Sequence, residues 1–209
     1  MEEDFAETFE ITYPKRGDKL MPHSPGEKTL FADWMTGQWH WYPDAYKQAA
    51  DKLVDQVEGH SWEDILIFPI VFLYRHFVEL KLKELIIELD SLSGTQIGDN
   101  EFKKHNLVPL WQYVKAHLAC ITNGQWDNDI LAGLDDLIQE LSQLDPTSFH
   151  FRYSHDTEFQ PITLPHQISM TDFKEGINKI ANGFGYIDGG IEMEREGRSQ
   201  EADFNAHLY

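Results

Sequence analysis

Arg75, Glu79 and Lys83 recur at intervals of four, with His76 three residues before Glu79, inside the run SWEDILIFPIVFLYRHFVELKLKELIIELD from Ser61 to Asp90. On a helix those intervals place the side chains on one stripe, so a guanidinium, an imidazole, a carboxylate and an ammonium can join in one network. An imidazole beside a carboxylate can titrate near neutral pH and exchange a proton. The rest of the run is apolar, and ionisable groups enter a helical core only with partners or for a purpose. The same spacing also suits a charge ladder facing solvent or a second subunit, where each pair contributes little. The residues alone leave both readings open.

A second group lies in HFRYSHD, residues 150–156, which gathers Arg152, Tyr153, His155 and Asp156. Arginine can hold a phosphate or carboxylate with two hydrogen bonds, histidine can move a proton, and tyrosine can donate to a developing anion. The alternative is an Arg-Tyr-Ser turn that ties a loop to the acidic body. His150, His155 and Asp156 lack zinc-ligand spacing and Cys120 stands alone, so neither a metal nor another cofactor is expected. His105, at the head of HNLVPLW, reads as a local cap or hydrogen-bond donor. GFGYIDGG at 183–190 follows a helical pattern instead of leading into one, which excludes a phosphate-cradling loop.

The elements that must position these groups are helical. Pro43 to Glu58 repeats apolar residues at three- and four-residue steps until Gly59. Ser61 with Asp64 resembles a capping box opening the second helix, which Pro69 should kink. A third helix starts near Asn106 and a fourth runs from Asp127 to Leu144, stopped by Asp145-Pro146. SFHFRYS alternates like a short extended or hairpin segment, placed near 148–160, before a last helix from Thr171 to Tyr186. The expectation is an all-α, up-and-down bundle of about five helices over residues 43–186. Residues 1–42 read as an extended arm rich in Pro and Gly, and 187–209 as a loose acidic tail. The arm ends in Trp34, Trp39, Trp41 and Tyr42, read as sealing one end of the core, with a ligand-stacking patch that could hold a nucleotide base as the alternative.

Thirty-six acidic against 17 basic residues give a formal charge of −19, which disfavours non-specific binding to phosphate backbones. The apolar run Ile65–Tyr74 is about half of what a bilayer requires, so no membrane span is expected. A single cysteine and the acidic start MEEDFAETFE point to a cytoplasmic protein.

PIVFLYRHFVELKLKELI, then HNLVPLW, then FRYSHD, in that order, resemble the motifs of bacterial HEPN-like helical proteins of the uncharacterised or phage-defence type. The resemblance covers about residues 43–186. It implies an all-α bundle that pairs with a second copy, in a superfamily that includes metal-independent ribonucleases and non-catalytic modules. Ribonuclease members carry an arginine four to six residues before a histidine, whereas Arg152 and His155 have only two residues between them, and Ser154 stands where proline is usual. Two expectations follow. One is a non-catalytic dimeric module that binds a protein or small ligand, with Arg75, His76, Glu79, Tyr153 and Asp156 as its network. The other is an effector that binds or cleaves RNA, with Arg152 holding the phosphate and His155 exchanging the proton.

Overall fold

The computed structural model describes residues 13–16, 18, 20, 30, 40–96, 98, 103, 105–121, 126–146, 148, 151–153 and 167–206. The chain divides into two units, Met1–Thr36 and Gly37–Tyr209. In the first, a turn is closed by the Lys15 amide on the Asp18 carboxylate (2.7 Å) and by the Asp18 amide on the Lys15 carbonyl. The sequence expectations for residues 1–12, 21–29 and 31–39 lie outside the described residues.

The second unit is all-α, as the periodicity indicates. Its helices are α1 (Trp41–Val54), α2 (Ile67–Ser93), α3 (Leu107–Ile121), α4 (Asn128–Leu144) and α5 (Met170–Ala206), with a 3-10 segment, Ser61–Leu66, leading into α2. No strand occurs among the described residues.

Local chemistry explains the boundaries. Gly59 takes φ +89°, a left-handed conformation open to glycine, and breaks the chain after α1. Glu63 then folds back, and its Oε2 accepts from the amides of Glu58, Gly59 and His60 at 2.8–2.9 Å. Burial pushes the Glu63 carboxyl up, but those three amides together hold it below the ordinary range. The expected capping box of Ser61 and Asp64 is therefore displaced by one residue to His60 and Glu63. Because the α-helix begins at Ile67, Pro69 falls in its first turn, where a missing amide costs nothing and no kink is required. Gly94 ends α2 at φ +69°, donating to the Asp90 carbonyl. Asp127 caps α4 by accepting from the amides of Asp129 and Ile130.

α2 is the axis of the bundle. Ile70, Val71, Tyr74, Phe77, Val78, Leu82, Leu85, Ile86 and Leu89 are all buried, so helices cover most of its circumference. α1 folds back along it, with the Tyr74 hydroxyl donating to Asp51 at 2.7 Å. α3 and α5 run in the same direction as α2. His105 meets Glu79 and Tyr113 meets Asp90 on one side, while Phe173 meets Tyr74, Asp188 meets Lys81 and Arg195 meets Glu88 on the other. Strict alternation of direction is thus broken between α2 and α3.

The tail expected to be loose from residue 187 is helical to Ala206. Two glycines along α5, Gly183 and Gly190, are packing sites. A Cβ on Gly183 would come within 2.7 Å of Leu134, and one on Gly190 within 2.3 Å of the Trp126 ring, so bare backbone lets α4 and its approach lie against α5. Ile187 and Ile191 are buried, and Arg195 and Arg198 bond to Glu88 and to the Leu92 carbonyl. At the other end, Trp41 and Tyr42 are more than half exposed at the start of α1, so these two aromatics do not seal the core.

After α4 the chain passes Asp145, which is completely buried, and Ser148, which is buried with φ +65° and with no partner for its hydroxyl. Non-glycine residues in that conformation store strain of about 1–3 kcal/mol. Ser148→Gly should therefore raise unfolding stability, by about 1 kcal/mol after the entropy that glycine loses on folding. A urea titration showing destabilisation instead would mean that the hydroxyl holds something essential.

Candidate functional site

α2 positions the first group, and the fold closes over it. Arg75 is buried, and each nitrogen of its guanidinium has a partner. Nε donates to the Asp145 carbonyl at 3.2 Å and lies 3.4 Å from the Asp145 carboxylate, Nη1 donates to Glu79 Oε2 at 3.1 Å, and Nη2 donates to the His105 carbonyl. Glu79 is equally buried, and its Oε1 receives Lys83 Nζ at 2.9 Å and His105 Nδ1 at 2.8 Å. Burial alone would raise the Glu79 carboxyl, but the hydrogen bonds and charges of Lys83 and His105 outweigh it and hold the group below its ordinary value. For Arg75, burial pulls the guanidinium down and Arg152 adds to this, while Asp145 and Glu79 oppose it.

The network thus binds α2 to the residue that leads into α3 and to the residue that follows α4. These two attachments, His105 and Asp145, could not be read from spacing. His105 is half-exposed and bonds by its ring and its carbonyl, a larger part than a local cap. Asp145 was legible only as a helix stop.

His76 points another way. Its ring lies parallel to Phe72 at 5.7 Å between centroids and meets Tyr46 of α1 edge-on at 4.4 Å. Nδ1 is buried without a hydrogen-bond partner. Burial pushes the imidazole below its ordinary value, Arg152, Lys83 and Arg75 push it further, and Glu79 opposes them. The surroundings of His76 thus favour the neutral imidazole, and it makes no hydrogen bond to Glu79 of the kind the three-residue spacing suggested.

Arg152 also packs on Phe72, its guanidinium carbon 4.9 Å from the ring centre. It is exposed, as is Tyr153, whereas Phe151 turns inward against Phe68. Residues 151 and 152 form a turn, and most of the expected short extended or hairpin segment near 148–160 lies outside the described residues. His150, His155 and Asp156 lie outside the described residues, so the expected pair of Arg152 with His155 is not part of the described site. What the fold does bring together is Arg152, Phe72, His76 and Tyr46, a cation–aromatic ledge on the outer side of α2. Phe72 is the residue that sequence reasoning passed over, because an aromatic in an apolar helix gives no separate signal.

The sign of the His76 shift sets a pH dependence. An imidazole depressed in the folded state lets the unfolded chain take up a proton first, from about pH 6.5 downward. Its contribution therefore lowers stability as pH falls through that value. Glu79, also depressed, contributes stability above its unfolded value near about 4.3 that is lost on further acidification. Urea titrations of His76→Gln should show a flatter stability profile between pH 7.5 and 5 than the parent chain, with the loss in acid unchanged. Parallel profiles for the two proteins would refute the assignment.

Among the described residues no group of three or more His, Cys, Asp or Glu side chains is placed to hold a metal ion, and no helix is long and apolar enough to cross a membrane. Compared with known proteins, the chain matches no family model, no curated protein and no solved structure.

Proposed function

We propose that the chain is a non-catalytic helical module of HEPN-like type that works as a dimer and binds a partner through the outer side of α2. The observation that carries this reading is the closure of the Arg75–Glu79 network. Every nitrogen of Arg75 and both oxygens of Glu79 are occupied by neighbours within the fold, so the most unusual charges in the sequence position helices and present nothing to a substrate. Among the described residues, those left facing outward around it include Arg152, Tyr153 and aromatic rings, which suit recognition better than bond cleavage. The order of the three HEPN-like motifs supports the same architecture, and the charge of −19 weighs against a polyanionic ligand.

One observation favours the second reading, a metal-independent effector that binds or cleaves RNA. Arg152 and His76 both pack against the Phe72 ring, a phosphate-binding group near a proton acceptor. The two readings separate in one experiment. Purified protein is incubated with single-stranded and transfer RNA in chelator at low salt, beside Arg152→Ala, His76→Ala and His155→Ala. No cleavage and no retention of RNA is the expected result. Cleavage that Arg152→Ala and either histidine substitution abolish would overturn the proposal and establish a ribonuclease.

A further inference from the structure

Three glycines of α5, Gly176, Gly183 and Gly190, follow one another at intervals of seven and so lie on one face of the helix. Two of them are filled. Gly183 receives the side chain of Leu134 and Gly190 the ring of Trp126, each so closely that a Cβ would collide. Trp126 precedes Leu134 in sequence while Gly190 follows Gly183, so α4 and α5 run antiparallel, and the next contact along α4 falls due at Gly176. None is made there. A Cβ on Gly176 meets nothing within 4 Å, although Leu141 stands seven residues after Leu134 on the same face of α4. Helices that touch at Gly183 have separated by Gly176.

The gap is a cavity of about 750 Å³ between the end of α4 and the start of α5. Close-packed interiors leave few voids larger than a water molecule, so a space of this size calls for an occupant. Its floor is apolar, with Leu141, Ile177 and Ile180 buried and Leu137 half-buried. Its mouth carries Glu140 and Asp172, both exposed. An apolar floor, a few polar groups and a volume within roughly 300–1,000 Å³ make up a small-molecule site.

The charge at the mouth selects the ligand. Neither Glu140 nor Asp172 holds a cation among the described residues. α4 contains no lysine or arginine, and the two lysines of α5, Lys174 and Lys179, are bound to Asp55 and Glu175. Asp172 stands in the first turn of α5, where the positive end of the helix favours its ionised form. The mouth therefore presents two carboxylates that the fold leaves without a counter-charge. An anion is turned away by them and by the net charge of −19.

We infer that the cavity between α4 and α5 binds a small amphiphilic cation, with its apolar body on the floor of Leu137, Leu141, Ile177 and Ile180 and its ammonium group at Glu140 and Asp172. The apolar body takes on Gly176 the place that Leu134 takes on Gly183 and Trp126 on Gly190. This site is formed by helices other than α2, so it goes beyond the partner surface on the outer side of α2 and does not depend on it.

Isothermal titration calorimetry of the full chain with decyltrimethylammonium, below its micelle concentration, tests this, beside decanol and decanoate as neutral and anionic probes of the same chain length. Two variants accompany the parent. Gly176→Leu fills the cavity from a position with open space, and Glu140→Gln/Asp172→Asn removes both charges at exposed positions. Far-UV circular dichroism melts check that each folds, and if Gly176→Leu does not, the charge variant carries the test alone. The expected result is one site per chain, with the cation bound about tenfold or more tightly than decanoate. Gly176→Leu should weaken both cation and decanol about tenfold or more, whereas the charge variant weakens the cation about tenfold and leaves decanol unchanged. No binding of any probe by the parent, or a cation affinity that Gly176→Leu leaves intact, overturns the site. Decanoate bound as tightly as the cation, or a cation affinity untouched by the charge variant, overturns the class of ligand.

Discussion

Arg75→Ala lowers the unfolding free energy by about 3–5 kcal/mol, the range for breaking a buried ion pair by removing one partner. The size follows from what is left behind. Glu79 and Asp145 remain buried without their guanidinium, and the carbonyls of His105 and Asp145 lose their donors. Denaturant titration reads the loss directly. A combined Arg75→Met and Glu79→Leu exchange should recover part of it, because an apolar pair replaces a charge without a counter-charge. Arg152→Ala is the control on the same site. It removes one exposed cation–ring contact, and the change should stay within about 1 kcal/mol. If Arg75→Ala melted like the parent, the network would not be the strut proposed here, and the module reading would lose its main support.

Trp111→Ala is the second large loss, also about 3–5 kcal/mol, as for other aromatic truncations in cores. Trp111 is fully buried, and its ring packs on Phe184 of α5. Its Nε1 donates to Asp135 of α4 at 2.6 Å, and Lys115 bonds the same carboxylate while lying over the indole. One side chain therefore joins three helices by packing, hydrogen bond and charge. Trp111→Phe keeps most of the apolar volume and loses the N–H donor, so its cost should fall to about 1–2 kcal/mol. Equal losses in the two variants would show that the hydrogen bond, and not the packing, dominates.

The motif HNLVPLW thus has a structural meaning in addition to its likeness to a family. Its histidine grips Glu79, its leucines at 107 and 110 enter the core, and its tryptophan clamps the far side of the bundle. Periodicity made the helices legible, since a repeat of three and four residues is a local property. The course of α5 was not legible, because the glycines that interrupt its pattern are needed by Leu134 and Trp126, which lie far away in sequence. The candidate site divides in the same way. Arg75, Glu79 and Lys83 share a stripe by spacing alone, but whether that stripe faces solvent or interior depends on Asp145 and His105. Arg152 was recognised by its type. Its seat on Phe72 and its closeness to His76 are products of the tertiary turn at 151–152, which no local pattern announces.

The parallel course of α2 and α5 has a consequence for how the chain reaches this state. α1 and α2 adjoin in sequence, so their pairing closes a short loop and can form early. The contact of Arg195 with Glu88 joins residues 107 apart, and that of Lys174 with Asp55 residues 119 apart. Closure over such distances carries more chain entropy and slows folding relative to a bundle of sequential neighbours. Docking of α5 therefore carries the larger closure cost, and in any state where it is undocked the apolar sides of α2 and α4 lie open to water and to other chains.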